Sequence, residues 1–150
     1  MLAEESPQEH LEALDRVLES VPEPTTLSSL LNELRENFTA FPNALLGEVG
    51  LDRAFRVPFV PYPDPAGGKL SPFRVPSSHQ LTILEAQVDL AIELHRSVSM
   101  HSVKSQELTL DFLKHMKEKH GEAFGSINID LHSCGFSLET WKTVEVRSLD

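Results

Sequence analysis

Glu48, His101 and His132 are the residues of this 150-residue chain whose types and placement best suit chemistry. A carboxylate and two imidazoles converging on one point form a His2Glu donor set. That set holds catalytic zinc and leaves a position open for water. Each of the three sits at or near the C-terminal end of a stretch that reads as a strand, which is where α/β folds assemble their sites. One such residue alone is more often an ordinary loop contact, whereas three in succession point to a metal.

The other reactive side chains read differently. Cys134 follows His132 by two residues but has no evident orienting acid, so it does not read as a nucleophile. His95, His115 and His120 fall on or at the ends of helices, where solvent or the helix dipole accounts for them, and His79 reads as a surface residue in a first helical turn. Trp141 lies on an apolar helix side, the position of a packing aromatic.

Composition narrows the partners. The 23 acidic residues against 13 basic give a formal net charge of -10, which argues against binding nucleic acid through Lys and Arg alone. A phosphodiester substrate would need positive charge from bound divalent cations. The single cysteine excludes an intrachain disulfide and fits a reducing, intracellular setting, cytoplasmic or nuclear. The acidic opening Met1-Leu-Ala-Glu-Glu-Ser-Pro7 does not read as a signal peptide, and no apolar run reaches the ~18 residues of a membrane span.

The elements that must position these residues alternate along the chain. Ser6-Pro-Gln-Glu9 matches a capping box, and Leu11, Leu14, Leu18 and Val21 predict one apolar stripe on the helix that follows. A second amphipathic helix is expected over Thr26–Phe38, with Leu27, Leu30, Leu31, Leu34 and Phe38 inward. Together they make a helical lead-in over residues 1–40. Residues 44–50 read as a short strand buried on both faces. Residues 51–76 carry six prolines and read as a long loop.

Beyond it, helix is expected over Ser78–His95, strand over Ser97–His101, helix over Gln106–Lys119 with Gly121 as its stop, and strand over Ser126–His132. Ser137 is expected to cap a last helix through Trp141 and Val144. Strands separated by helices predict parallel α/β units, about three strands over residues 44–146, within one domain spanning 1–150.

Several of these segments carry a family likeness. Gly47-Glu-Val-Gly-Leu-Asp52 resembles the Gly-Glu-(Ile/Val)-Gly-Leu-Asp motif of TatD-type deoxyribonucleases. Gln80 with Gln87-Val-Asp-Leu-Ala91 is similar to that family's glutamine-bearing helix. Val98-Ser-Met-His-Ser102 and Leu131-His-Ser133 resemble its later metal-binding strands. The likeness covers about residues 30–145 and suggests a divergent eukaryotic, fungal-like branch.

The resemblance implies a (β/α)8 TIM-barrel-like metal-dependent hydrolase of phosphodiester bonds, with DNA or another phosphoester as substrate. The family site holds two divalent ions, Mg, Mn or Zn, that activate a water. Carried over, Glu48 would bridge the two ions, while His101 and His132 would bind one of them. Ser102 and Lys104 would face substrate, and the remaining catalytic groups are unknown.

The chain departs from the family in lacking a His-x-His pair, its only histidine before Glu48 being His10, and in stopping before the family's late Asp strand. The expectation is therefore an incomplete barrel, truncated at both ends, with half of the binuclear site and at most one bound ion. The alternative is a non-catalytic interaction module whose open sheet edges a partner protein covers.

Overall fold

The computed structural model describes residues 6–60 and 68–142. They form two compact units, one drawn from the described residues of 6–24 and 54–75, the other from residues 25–53 and 76–142.

The first unit is built on helix α1, Pro7–Leu18. Its capping box forms as expected. Ser6 Oγ accepts from the Glu9 amide at 3.3 Å and Glu9 Oε2 accepts from the Ser6 amide at 2.7 Å. The expected apolar stripe is not the packed one: Leu11 and Leu18 are 57% and 60% exposed, and Leu14 and Val21 are also exposed. The helix instead turns Ala13 and Val17 inward, four residues apart on a neighbouring face, with the exposed His10 on the same side. His10 meets the Phe73 ring edge-on and the Arg16 guanidinium stacks over Phe59, so aromatic contacts from 54–75 select that face.

The described part of the proline-rich segment carries one isolated bridge. Val57 donates to Phe73 O, Phe59 to Lys69 O and Ser71 to Val57 O, an antiparallel pairing around Pro58 and Leu70. Pro61, Pro63 and Pro65 lie outside the described residues.

The second unit is the α/β body. Its elements are α2 (Leu27–Ala40), β1 (Leu46–Asp52), α3 (Ser77–Glu93), β2 (Val98–Val103), α4 (Gln106–His120), the short α5 (Glu122–Gly125) and β3 (Ile129–His132). The three strands form one parallel sheet in the order β1-β2-β3, as the alternation of strands and helices requires.

Along β2 the strand period turns Val98, Met100 and Ser102 to one face and Ser99, His101 and Val103 to the other. The first face packs against α3 and α4. Leu46, Leu51, Val98 and Met100 meet Leu84, Val88, Ala91, Phe112 and Met116 in a continuous core. Met100 and Met116 are fully buried, each such side chain contributing roughly 1.5–3 kcal/mol by leaving water.

The helices obey their sequence signals. Thr26 caps α2 by accepting from the Ser29 amide, and Gly121 ends α4 at φ 56°, a conformation that glycine adopts without strain. Ser137 accepts from the Thr140 amide as helical backbone begins at 138–142, while Val144 lies outside the described residues.

The strands sit differently from their expected bounds. β1 starts at Leu46 and has only one face in the core, with Gly47 and Glu48 exposed. β2 runs two residues past His101. Among the described residues no helix is long and apolar enough to cross a membrane.

Candidate metal centre

A register shift in β1 sets the position of Glu48. Leu46 pairs with Val98 and Val49 with Met100, so three steps along β1 match two along β2. The extra residue lets Leu46, Val49 and Leu51 all face the core while Glu48 and Gly50 face the side of His101. Glu48 is thus the third residue of its strand, held at the level of Ser99, rather than a residue of the strand's C-terminal end. His101 and His132 are direct register partners on β2 and β3.

Both motif glycines have a steric reason. A Cβ on Gly47 would lie 2.9 Å from Ser99 Cβ, and one on Gly50 would lie 1.9 Å from the carbonyl oxygen of His101. β1 can approach β2 this closely only without side chains at those positions.

The three expected residues meet. Glu48 Oε1 lies 2.7 Å from His132 Nε2 and 2.8 Å from His101 Nδ1. One donor atom from each residue falls within 4.8 Å of the others. The imidazoles are 6.1 Å apart between ring centroids and inclined at 58°, so they converge without stacking. His101 Nδ1 is sealed from solvent and, though close to Glu48, has no aligned hydrogen-bond partner. An orphaned buried nitrogen beside a carboxylate is the arrangement a cation would satisfy. The His132 hydrogen bond, with the nearby imidazoles, holds the Glu48 carboxyl below its ordinary range, keeping it anionic as a metal donor must be.

A ring of further polar groups surrounds these three. Ser99 Oγ lies 3.0 Å from His132 Nδ1, and Asp130 Oδ2 lies 3.9 Å from the same nitrogen. Asp52 Oδ2 lies 3.7 Å from His101 Nε2. Ser99 and Asp52 were legible by period alone: Ser99 precedes His101 by two strand residues, and Asp52 follows Gly50 by two.

The two expected substrate residues are placed differently. Ser102 is turned away from the cluster, 1% exposed on the core face, and hydrogen-bonded to Thr109 Oγ1 at 2.8 Å. The alternation that points His101 to one face sends its neighbour to the other. Lys104 is exposed just past β2, at φ 50°. Cys134 donates its thiol to the Leu131 carbonyl and is half-buried.

A parallel α/β sheet backed by helices, with a carboxylate and two imidazoles gathered on its other face, defines an arc of a (β/α)8-type metal-dependent hydrolase barrel. Residues 14–144 match the family described as TatD related DNase, and the chain belongs to that family. The match begins in α1, earlier than the residues that carry the resemblance in sequence.

Two fungal proteins are similar. The Cut9-interacting protein scn1 of Schizosaccharomyces pombe is 43% identical over 94 residues, covering 61% of this chain and 28% of that protein. The uncharacterized deoxyribonuclease YMR262W of Saccharomyces cerevisiae is 28% identical over 130 residues, covering 86% of this chain and 39% of that protein. The chain thus spans about a third of the length of these relatives. No solved structure gives a significant match.

Proposed function

We propose that this chain supplies part of the metal site of a hydrolase acting on phosphodiester bonds, with DNA as the substrate class. The observation that carries this reading is the convergence of Glu48, His101 and His132 within 4.8 Å on the face of the sheet opposite the core. These three residues would hold one divalent ion, Mg, Mn or Zn, Glu48 through Oε1, His132 through Nε2 and His101 through Nδ1. When bound, such an ion polarises the phosphoryl group and lowers the pKa of water.

The chain's own residues prepare for that role. Glu48 brings the negative charge, the imidazoles bring neutral nitrogen donors, and the strand register fixes all three before binding. Exposed Lys104 supports an additional contact to a phosphate. The described residues contain one three-donor cluster, which supports binding of a single ion, while hydrolysis with two ions belongs to the longer barrel of the family. An intracellular setting is part of the same proposal and is supported by the free thiol of Cys134.

A second reading is favoured by the likeness to a protein named for its interaction with Cut9. On that reading the chain is a binding module in which a partner protein covers β1 and β3, the two outer strands of the described sheet.

The test is calorimetric titration with zinc, magnesium and manganese, coupled to a nuclease assay. Glu48→Gln, His101→Ala and His132→Ala should each weaken binding by at least ~10-fold, whereas Ser102→Ala should leave it unchanged. Nuclease activity is expected once the coding sequence is extended to include a His-x-His segment. Cleavage by the extended protein that survives both histidine substitutions would sink the assignment of this metal site to the hydrolysis, and consistent absence of such a segment favours the module.

A further inference from the structure

We infer that Ser99 is the positioning residue for His132, its hydroxyl serving the ring both with and without a bound cation. This rests on reading Glu48, His101 and His132 as the donors of a divalent ion. The ring is gripped at both nitrogens: Nδ1 lies 3.0 Å from Ser99 Oγ and Nε2 lies 2.7 Å from Glu48 Oε1. Asp130 does not compete for the role, because its carboxylate is 3.9 Å from Nδ1 and 78% exposed. A hydrogen bond needs an approach nearer 3 Å.

Ser99 reaches this place through the strand period. It shares a face with His101 two residues on, and its register partner Asp130 stands two residues before His132. Gly47 leaves the room, since any Cβ there would collide with Ser99 Cβ. The first glycine of the Gly47-Glu-Val-Gly50 run thus admits the hydroxyl that orients a histidine two strands away.

The chemistry singles out a hydroxyl. A neutral imidazole carries one N–H and one lone pair, so its two nitrogens always exchange roles together. While Nε2 donates to Glu48, Nδ1 is an acceptor and Ser99 donates to it. Once Nε2 offers its lone pair to a cation, the proton sits on Nδ1 and Ser99 accepts. A serine hydroxyl makes this change by rotating about one bond, whereas a carboxylate could serve only the second state and alanine neither. Ser99 therefore keeps the ring aimed through the exchange, and an outer partner of this kind typically carries about 10–100-fold in metal affinity.

Zinc titration and imidazole nitrogen NMR on the full chain test this. Ser99→Ala should weaken zinc binding about 10–100-fold. Ser99→Thr, which keeps the hydroxyl, should restore it, and the zinc-loaded chain should carry the His132 proton on Nδ1. Binding lost in Glu48→Gln but untouched in Ser99→Ala would overturn the role of Ser99 and leave the metal reading intact. Equal zinc binding by the wild-type and Glu48→Gln chains would overturn the metal reading, and this inference with it. A His132 proton found on Nε2 in the zinc-loaded wild-type chain would overturn the inference without any variant having to fold.

Discussion

Gln80 clasps the backbone of Asp52, accepting from its amide through Oε1 at 2.8 Å and donating to its carbonyl from Nε2 at 3.1 Å. The first turn of α3 thereby ties down the end of β1, at the residue whose carboxylate approaches His101 Nε2. Gln80→Ala should cost about 1–3 kcal/mol in urea unfolding, because both polar groups of a half-buried peptide lose this partner. Gln80→Glu should not rescue it, since a carboxylate accepts from the amide but sets a second acceptor against the carbonyl. A stability within error of wild type in both variants would show that the clasp contributes nothing.

Gly50 is the less replaceable of the two glycines of β1. In Gly50→Ala the new Cβ would fall 1.9 Å from the His101 carbonyl oxygen, at a φ of +154° that side chains rarely adopt. The strands must separate, so a loss of roughly 3 kcal/mol or more is expected. Gly121→Ala makes the comparison: its Cβ would meet nothing within 4 Å, leaving only the penalty of a rarely populated backbone conformation, about 1–3 kcal/mol. Thermal melts of the two variants should keep that order, and equal melting temperatures would contradict it.

Acid and base should each abolish the bridge between α3 and α4, through different partners, where Lys119 Nζ lies 2.7 Å from Glu85 and 2.8 Å from Asp89. Lys119, and secondarily His115, holds the Glu85 carboxyl below its ordinary 4.5. That contribution is complete above 4.5 and disappears as pH falls through the lowered value. Asp89, then Glu85, holds Lys119 above its ordinary 10.5, so its contribution is complete below 10.5 and disappears as pH rises through the raised value. Glu85→Gln should lower the melting temperature slightly at neutral pH, the pair being partly exposed and screened. The gap to wild type should close in strong acid, and a gap that persists below the carboxylate's titration would refute the assignment.

Period and capping alone determined much of this protein. The capping box at Ser6, the inward face of α2, the stop at Gly121 and the parallel alternation all follow from local rules that act within a few residues, and the candidacy of Glu48, His101 and His132 comes from residue type and motif. What the local pattern could not decide was which of two neighbouring faces would find a partner. The leucine stripe of α1 is a good amphipathic signal, yet Phe59 and Phe73 reward the adjacent face. Ser102 beside His101 looked like a site residue, but strand alternation buries it against Thr109.

The position of Glu48 is the clearest case. An isolated strand offers no sign that three of its steps will match two on its neighbour. That mismatch exists only between paired strands, where the core demands Leu46, Val49 and Leu51 together, and it is what turns the carboxylate toward both imidazoles. Residue types are a property of the sequence, whereas a shared point in space is a property of register, and only the tertiary structure decides register.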